Sequence, residues 1–172
     1  VMSGLCAWSA VPSTEARLAF PVVPENGGVV QLPDAVDQPR AGAKVVIDVT
    51  ADSKPDVVNK GLDRAARLLN LYGAHGRQAQ DIRVTVVLHG EATKSVLTAA
   101  AYSRHFQVDA NPSLPLIREL QSAGVEILVC GQALNYKHFD RQDVAKNVPV
   151  AVAAMTVVIH RQMDGYAYLP IP

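Results

Sequence analysis

Three short runs of mostly apolar, β-branched residues constrain the fold of this chain more than any other feature. They cover residues 45–50, 82–88 and 125–129, and Asp48 interrupts the first. Runs of this length suit strands that are buried on both faces, as the strands of a parallel sheet are. The chain is therefore expected to form a sheet as well as helices.

Amphipathic segments occupy the intervals between these runs. Between the first two runs, apolar side chains recur at spacings of three and four, at Val58, Leu62, Ala65, Leu69 and Tyr72. This periodicity predicts a helix that ends at Gly73. Four more helices are predicted, over residues 92–106, from 111–114 to Gly124, over 140–146 and over 153–164, and two more strands, over 148–152 and 166–171.

The alternation of strands and helices defines the fold class. It predicts a single α/β domain with a mostly parallel five-stranded sheet and helices on both faces. A chain of 172 residues is long enough to bury a core without a disulfide, a metal or a partner.

Charge and hydropathy exclude two classes of partner. The 16 basic and 16 acidic side chains balance, and no run of Lys or Arg stands out, so nucleic acid is not an expected partner. No apolar stretch reaches the ~20 residues that a membrane helix requires, so the chain is not expected to span a membrane.

Residues 1–43 differ from the rest of the chain, because they are rich in proline and have no sustained period of 2 or 3.6. We expect an N-terminal arm there and an α/β domain over residues 44–172. Small residues at Ala16 and Ala19 are spaced like signal-cleavage sites, so the arm is interpreted either as a signal-peptide remnant or as an ordinary flexible N-terminus. The first interpretation predicts a periplasmic or exported protein, and the second a cytoplasmic one.

The segments that follow the three apolar runs contain the candidate functional residues. Ligands of open α/β sheets bind where the carboxyl ends of the strands meet. The residues at those ends are Thr50, His89 and Cys130. The chain has two cysteines, Cys6 and Cys130, which excludes a disulfide scaffold and leaves Cys130 as the only cysteine of the α/β domain.

Cys130 is the candidate for chemistry at this edge. Gly131 and a turn into helix follow it, and unpaired backbone N–H groups at such a turn favour thiolate over thiol. The alternative is that Cys130 is the buried last residue of a hydrophobic strand. His89 is a candidate cation, base or hydrogen-bond donor to the thiolate, or else an ordinary histidine at a strand end. Gln132 and Asn135 are candidate amide donors to an anion.

Several familiar motifs are missing from the sequence. It contains no G-x-x-x-x-G-K, G-x-G-x-x-G, H-E-x-x-H or C-x-x-C pattern. Their absence disfavours a P-loop enzyme, a dinucleotide-dependent dehydrogenase, a zincin and a thioredoxin-type dithiol. The remaining histidines of the domain fall on different predicted elements without ligand spacing, so neither a metal site nor a cofactor is predicted.

Four segments of the chain together resemble the DsrE/DsrF-like family. They are Val129–Ala133, Asp48–Thr50, Val87–Gly90 and Gln162–Tyr166, and the similarity spans about residues 44 to 170. The resemblance implies a three-layer, flavodoxin-like fold and a homo-oligomer, either a trimer or a hexamer. In the sulfur-relay members, the DsrE and TusD types, a cysteine just after a central strand holds sulfur as a persulfide and passes it to a partner thiol.

Cys130 is the residue that matches this cysteine. The chain departs from the relay members after it, because residues 131–139 replace an alanine-rich stretch that ends in Arg-Gly. It also carries the N-terminal arm, which points to a divergent, exported subgroup.

Two functions follow from the sequence as the main hypotheses. The first is a sulfur-binding or sulfur-transfer protein that carries sulfane sulfur on Cys130, with Gly131 and nearby N–H groups stabilising the anion and His89 assisting proton movement. The second is a non-enzymatic oligomeric envelope protein that binds a small anion or metabolite while Cys130 only packs. A cysteine hydrolase with a Cys130–His89 dyad is a third option, for which the sequence supplies no orienting third residue.

Overall fold

A computed structural model describes residues 17–172 and contains one parallel sheet of five strands. The strands, numbered along the chain, are β1 (Ala43–Val49), β2 (Ile82–Leu88), β3 (Glu126–Cys130), β4 (Val150–Ala151) and β5 (Ala167–Ile171). Their order across the sheet is β4-β3-β2-β1-β5, and every neighbouring pair is parallel. The predicted α/β fold class is therefore confirmed.

Five α-helices connect these strands. They are α1 (Lys60–Ala74), α2 (Ala99–Phe106), α3 (Ser113–Ser122), α4 (Gly131–Tyr136) and α5 (Ala154–Met163), and 3₁₀-helices form at Ala79–Asp81, Gly90–Val96 and Arg141–Asp143. Asn59 caps α1, because its side chain accepts the N–H groups of Gly61 and Leu62. None of the helices in this part of the chain is long and apolar enough to cross a membrane.

The direction of the connections decides which face each helix covers. The chain moves from β1 to β4 one strand at a time in a single direction, so right-handed connections place α1 and α3 on one face. The next connection returns from β4 to β5 at the opposite edge and places α5 on the other face. The main core lies on the α1 and α3 face, whereas a small cluster around Val87, Cys130 and Val157 lies under α5.

The helix predicted over residues 92–106 is wrong in its first half. A 3₁₀-helix ends at Val96, Leu97 and Thr98 are extended, and α2 begins only at Ala99. The side-chain amide of Asn111 donates to the carbonyls of Ser95 and Leu97, at 3.0 and 2.8 Å. A continuous helix would need those carbonyls for its own hydrogen bonds, so a buried side chain decides the break.

Two further predictions near the C-terminus need correction. The helix predicted over residues 140–146 is only the 3₁₀-helix at Arg141–Asp143, and the strand predicted over 148–152 shrinks to Val150–Ala151. Pro149 has no N–H to donate to the sheet, which limits the strand on its N-terminal side. The first helix extends one residue past Gly73, to Ala74.

The described part of the arm, residues 17–43, packs along α1. Ala19 and Val29 form an antiparallel bridge, and the Val23 side chain is fully buried in the main core. The Asn70 side chain accepts the N–H groups of Val22 and Val23, both at 2.9 Å, and donates to the carbonyl of Val23. The signal-like residues before Arg17, together with Cys6, lie outside the described residues.

Candidate functional site

Asp48, His89 and Cys130 project from the face of the sheet that α5 covers. Val87 pairs with Asp48 on one side and with Leu128 on the other, and paired residues of parallel strands point to the same face. His89 and Cys130 each follow by two residues and therefore return to that face. Because Leu88 pairs with Val129, the next residues, His89 and Cys130, are neighbours across the two strand ends.

Asp48 forms hydrogen bonds through both of its carboxylate oxygens. His89 Nε2 lies 2.6 Å from Asp48 Oδ1, and the Tyr168 hydroxyl donates to Oδ2 at 2.8 Å. Burial opposes ionisation of this carboxyl, but the hydrogen bonds from His89 and Tyr168 and the charge of His89 outweigh it, so the pKa of Asp48 lies below its ordinary value of 3.8. The same contact with Asp48 raises the pKa of Tyr168.

Cys130 ends β3 and caps α4. Its Sγ accepts the N–H of Ala133 at 3.4 Å, and the residue is 5% exposed. It packs in the small apolar cluster with Val87 and Val157, so it is a buried residue that nevertheless lines a cavity. The two interpretations of Cys130 left open by the sequence are therefore compatible in geometry.

The cavity in front of Cys130 has a volume of about 730 Å³. Asp48, His89 and Cys130 supply its polar groups at the strand ends, and Tyr168 adds its hydroxyl. The wall contributed by α5 is apolar, with Met155, Val158 and Ile159 among its side chains. A mostly apolar pocket with a few convergent polar groups is the usual form of a small-molecule site.

The structure brings some predicted residues into this cavity and leaves others out. Gln132 and Asn135 line it together with Cys130 and His89, and the Gln132 amide also donates to the Val152 carbonyl at 3.3 Å. Thr50 and Gly131 do not line it. Gly131 is buried against β4, where an added Cβ would lie 2.9 Å from the carbonyl oxygen of Ala151.

Sequence reasoning missed the functional potential of Asp48, Tyr136 and Tyr168. Asp48 carried a usable signal, since it is a carboxylate inside an apolar, buried run. Tyr168 carried none, because nothing in the sequence places β5 beside β1.

The charged side chains next to the cavity are paired with one another. Lys94 Nζ lies 2.5 Å from Asp52 Oδ1, and Lys137 forms an ion pair with Glu91. No Lys or Arg belongs to the cavity lining in the described part of the chain. Within residues 17–172, no group of three His, Cys, Asp or Glu side chains is placed to hold a metal ion.

Comparisons with known proteins agree with this architecture. The solved structure of a protein of unknown function from Methanobacterium thermoautotrophicum is similar, with a TM-score of 0.53 and 21% identity over 75% of this chain and 99% of that one. No curated protein matches the chain. The model of the DsrE/DsrF-like family matches residues 44–171, which include every strand of the sheet except the first residue of β1. This family is generally associated with sulfur relay. With a match over most of its length, the chain belongs to the DsrE/DsrF-like family.

Proposed function

We propose that this protein carries sulfane sulfur as a persulfide on Cys130. The observation that carries the proposal is the position of the Cys130 thiol, which lines a cavity beside His89 and accepts a backbone N–H from Ala133. Such a contact stabilises a sulfur anion more than a neutral thiol. The association of the family with sulfur relay supports the same function.

The proposed reaction is an exchange of one sulfur atom between thiols. The Cys130 thiolate attacks the outer sulfur of a donor persulfide, R–S–SH. A new S–S bond forms on Cys130, the S–S bond of the donor breaks, and the donor leaves as a thiolate. His89 takes the Cys130 proton and returns it to the leaving thiolate. Delivery reverses these steps, with the thiol of a partner protein attacking the outer sulfur.

An oligomer is part of the proposal, as the family implies. The α5 side of the molecule exposes large apolar side chains, at Tyr136, Val152, Met155, Ile159 and Met163. Large apolar side chains exposed on one side of a molecule are typical of a protein interface. We therefore propose a homo-oligomer, a trimer or a hexamer, in which this side of the molecule is covered.

Intact mass after exposure to a persulfide donor tests the sulfur-carrier proposal. The parent protein is expected to gain the mass of one sulfur, and a reductant should remove it. The Cys130→Ser variant should gain nothing, whereas Cys6→Ser, the matched control, should gain as much as the parent. Equal gain by the parent and Cys130→Ser would refute the role of Cys130.

The second candidate is a binding protein in which Cys130 only packs. The apolar α5 wall and the absence of Lys and Arg from the lining within residues 17–172 favour a neutral ligand over the anion considered from sequence. Thiol titration separates the two candidates. A Cys130 pKa well below the ordinary value of about 8.5 supports the sulfur carrier, and a thiol that reacts only after unfolding supports the binding protein.

A further inference from the structure

We propose that Asp48, held by Tyr168, positions His89 as the proton acceptor for the Cys130 thiol. Asp48 is a positioning residue in this arrangement, because it contacts the imidazole and not the sulfur. The inference rests on Cys130 being the reactive thiol of the proposed function. It supplies the orienting third residue that a cysteine–histidine pair requires and that the sequence did not reveal.

The hydrogen bond between Asp48 and His89 fixes the tautomer of the imidazole. An ionised carboxylate can only accept hydrogen bonds, so the 2.6 Å contact at Asp48 Oδ1 requires a proton on His89 Nε2. In the neutral ring, Nδ1 then carries the lone pair. A base whose tautomer is fixed in this way accepts a proton without first reorganising.

Tyr168 holds the Asp48 carboxylate in place, and Asp48 in turn orients His89. The Tyr168 hydroxyl donates to Asp48 Oδ2, so Asp48 forms one hydrogen bond on the side of each neighbouring strand. The three side chains and Cys130 thus form a row across β5, β1, β2 and β3, in that order. His89 and Cys130 line the same cavity, and the strand ends that carry them are adjacent.

The other titratable groups around His89 leave Asp48 as its partner. From α4, Tyr136 lines the cavity, and α5 contributes only apolar side chains to it. In the loop after β2, Glu91 pairs with Lys137 and Lys94 with Asp52. These two ion pairs engage Glu91 and Lys94, the charged side chains that follow His89 most closely in the sequence.

The proposed proton transfer has its donor, Cys130, and its acceptor, His89, within the row. The Cys130 S–H proton moves to His89 Nδ1 and leaves a thiolate beside an imidazolium whose Nε2–H still faces Asp48. A thiol with the ordinary pKa of about 8.5 is only ~3% ionised at pH 7, so complete activation raises its alkylation rate at most about 30-fold. The loss of activation in a variant can therefore change the alkylation rate at pH 7 by at most about 30-fold.

The test is the ratio of Cys130 alkylation rates by iodoacetamide at pH 10 and pH 7. Every variant is made in the 172-residue chain with Cys6→Ser, so that Cys130 is its only thiol. Taking the ratio cancels changes in access to the sulfur, because access affects the rates at both pH values alike. We expect Asp48→Asn to increase the ratio about 3-fold to 30-fold, and Tyr168→Phe to increase it about twofold or more.

Two controls decide between positioning and structural damage. Tyr166→Phe removes the hydroxyl of a nearby tyrosine that does not line the cavity, and it should leave the ratio unchanged. Tyr168 lies on the exposed edge strand, so its variant answers the question if Asp48→Asn does not fold. An unchanged ratio in Tyr168→Phe and in folded Asp48→Asn would overturn the proposal.

Sulfur loading, measured on the same parent protein, separates the two proposals. If the parent takes no sulfur but the ratio rises in the variants, the sulfur-carrier function fails and the positioning role stands. If the parent takes sulfur and the ratio does not change, the positioning role fails and the function stands.

Discussion

Asp48 Oδ1 and His89 Nε2 lie 2.6 Å apart, and the Asp48 side chain is only 16% exposed. The lowered pKa of Asp48 means that ionisation of this carboxyl stabilises the fold above its ordinary value of 3.8. That stabilisation is lost as the pH falls through the lower pKa of the folded state. Acidification should therefore remove the contribution of Asp48 ionisation to the free energy of unfolding.

We expect Asp48→Asn to lower the free energy of unfolding by about 1–3 kcal/mol at pH 7, as loss of a charge-assisted hydrogen bond does. The difference from the parent should shrink as the pH falls below 3.8, because protonation of Asp48 removes the charge that the variant lacks. Urea unfolding at several pH values measures it. The exposed Asp109→Asn serves as the control, and an equal pH dependence in both variants would contradict the prediction.

Asn70→Ala is expected to destabilise the protein by about 2–4 kcal/mol, because it leaves buried backbone groups of Val23 without partners. Gln121→Ala is the matched control, since its amide also donates to a backbone carbonyl, that of Asn147, but on the exposed surface. Its expected loss is below ~1 kcal/mol. Similar losses in the two variants, measured by urea unfolding, would show that the arm contributes little.

Gly27→Ala and Gly42→Ala form a pair that separates backbone strain from steric clash. Both glycines have positive φ, 63° and 86°. A Cβ at Gly27 would lie 2.1 Å from the Arg67 nitrogen, whereas one at Gly42 meets nothing within 4 Å. Gly42→Ala should lower the free energy of unfolding by about 1–2 kcal/mol, the cost of the left-handed conformation. Gly27→Ala should cost clearly more, and equal thermal shifts would contradict the packing of the arm on α1.

Light scattering of the full chain should give a mass of at least two protomers at micromolar concentration. The double variant Met155→Glu/Ile159→Glu should lower this mass, because it places charges in the exposed apolar surface of α5. Val36→Glu, at a fully exposed position of the arm, should not change it. A parent protein that is a monomer would refute the proposed oligomer.

The apolar runs predicted the strands because a parallel strand that is buried on both faces consists mostly of consecutive apolar residues. No comparable sequence pattern indicates the order in which the strands pair. The contact between Asp48 and Tyr168 spans 120 positions and depends on β5 pairing with β1. The hydrogen bonds of Asn111, which break the helix predicted from Ala92, likewise depend on tertiary contacts that no local pattern encodes.

The Cys130 end of the site was easier to predict than the Asp48 end. A cysteine at the end of an apolar run can be recognised without knowing its neighbours in space, and so can a histidine at the end of the next run. The row from Tyr168 to Cys130 can be predicted only if the order of the four strands that carry it is known. Asp48 alone could have been inferred, since an unpaired carboxylate is costly inside a buried strand.

The position of β5 in the sheet also determines when, during folding, the row from Tyr168 to Cys130 is complete. Strand β5 follows the other four strands along the chain, and β1 keeps an open edge until residues 167–171 pair with it. Cys130 is made about forty residues before Tyr168, the last member of the row. Under the proposed mechanism, a chain whose β5 has not yet paired carries the thiol but lacks the hydroxyl that holds Asp48, so the row is complete only when the sheet is closed.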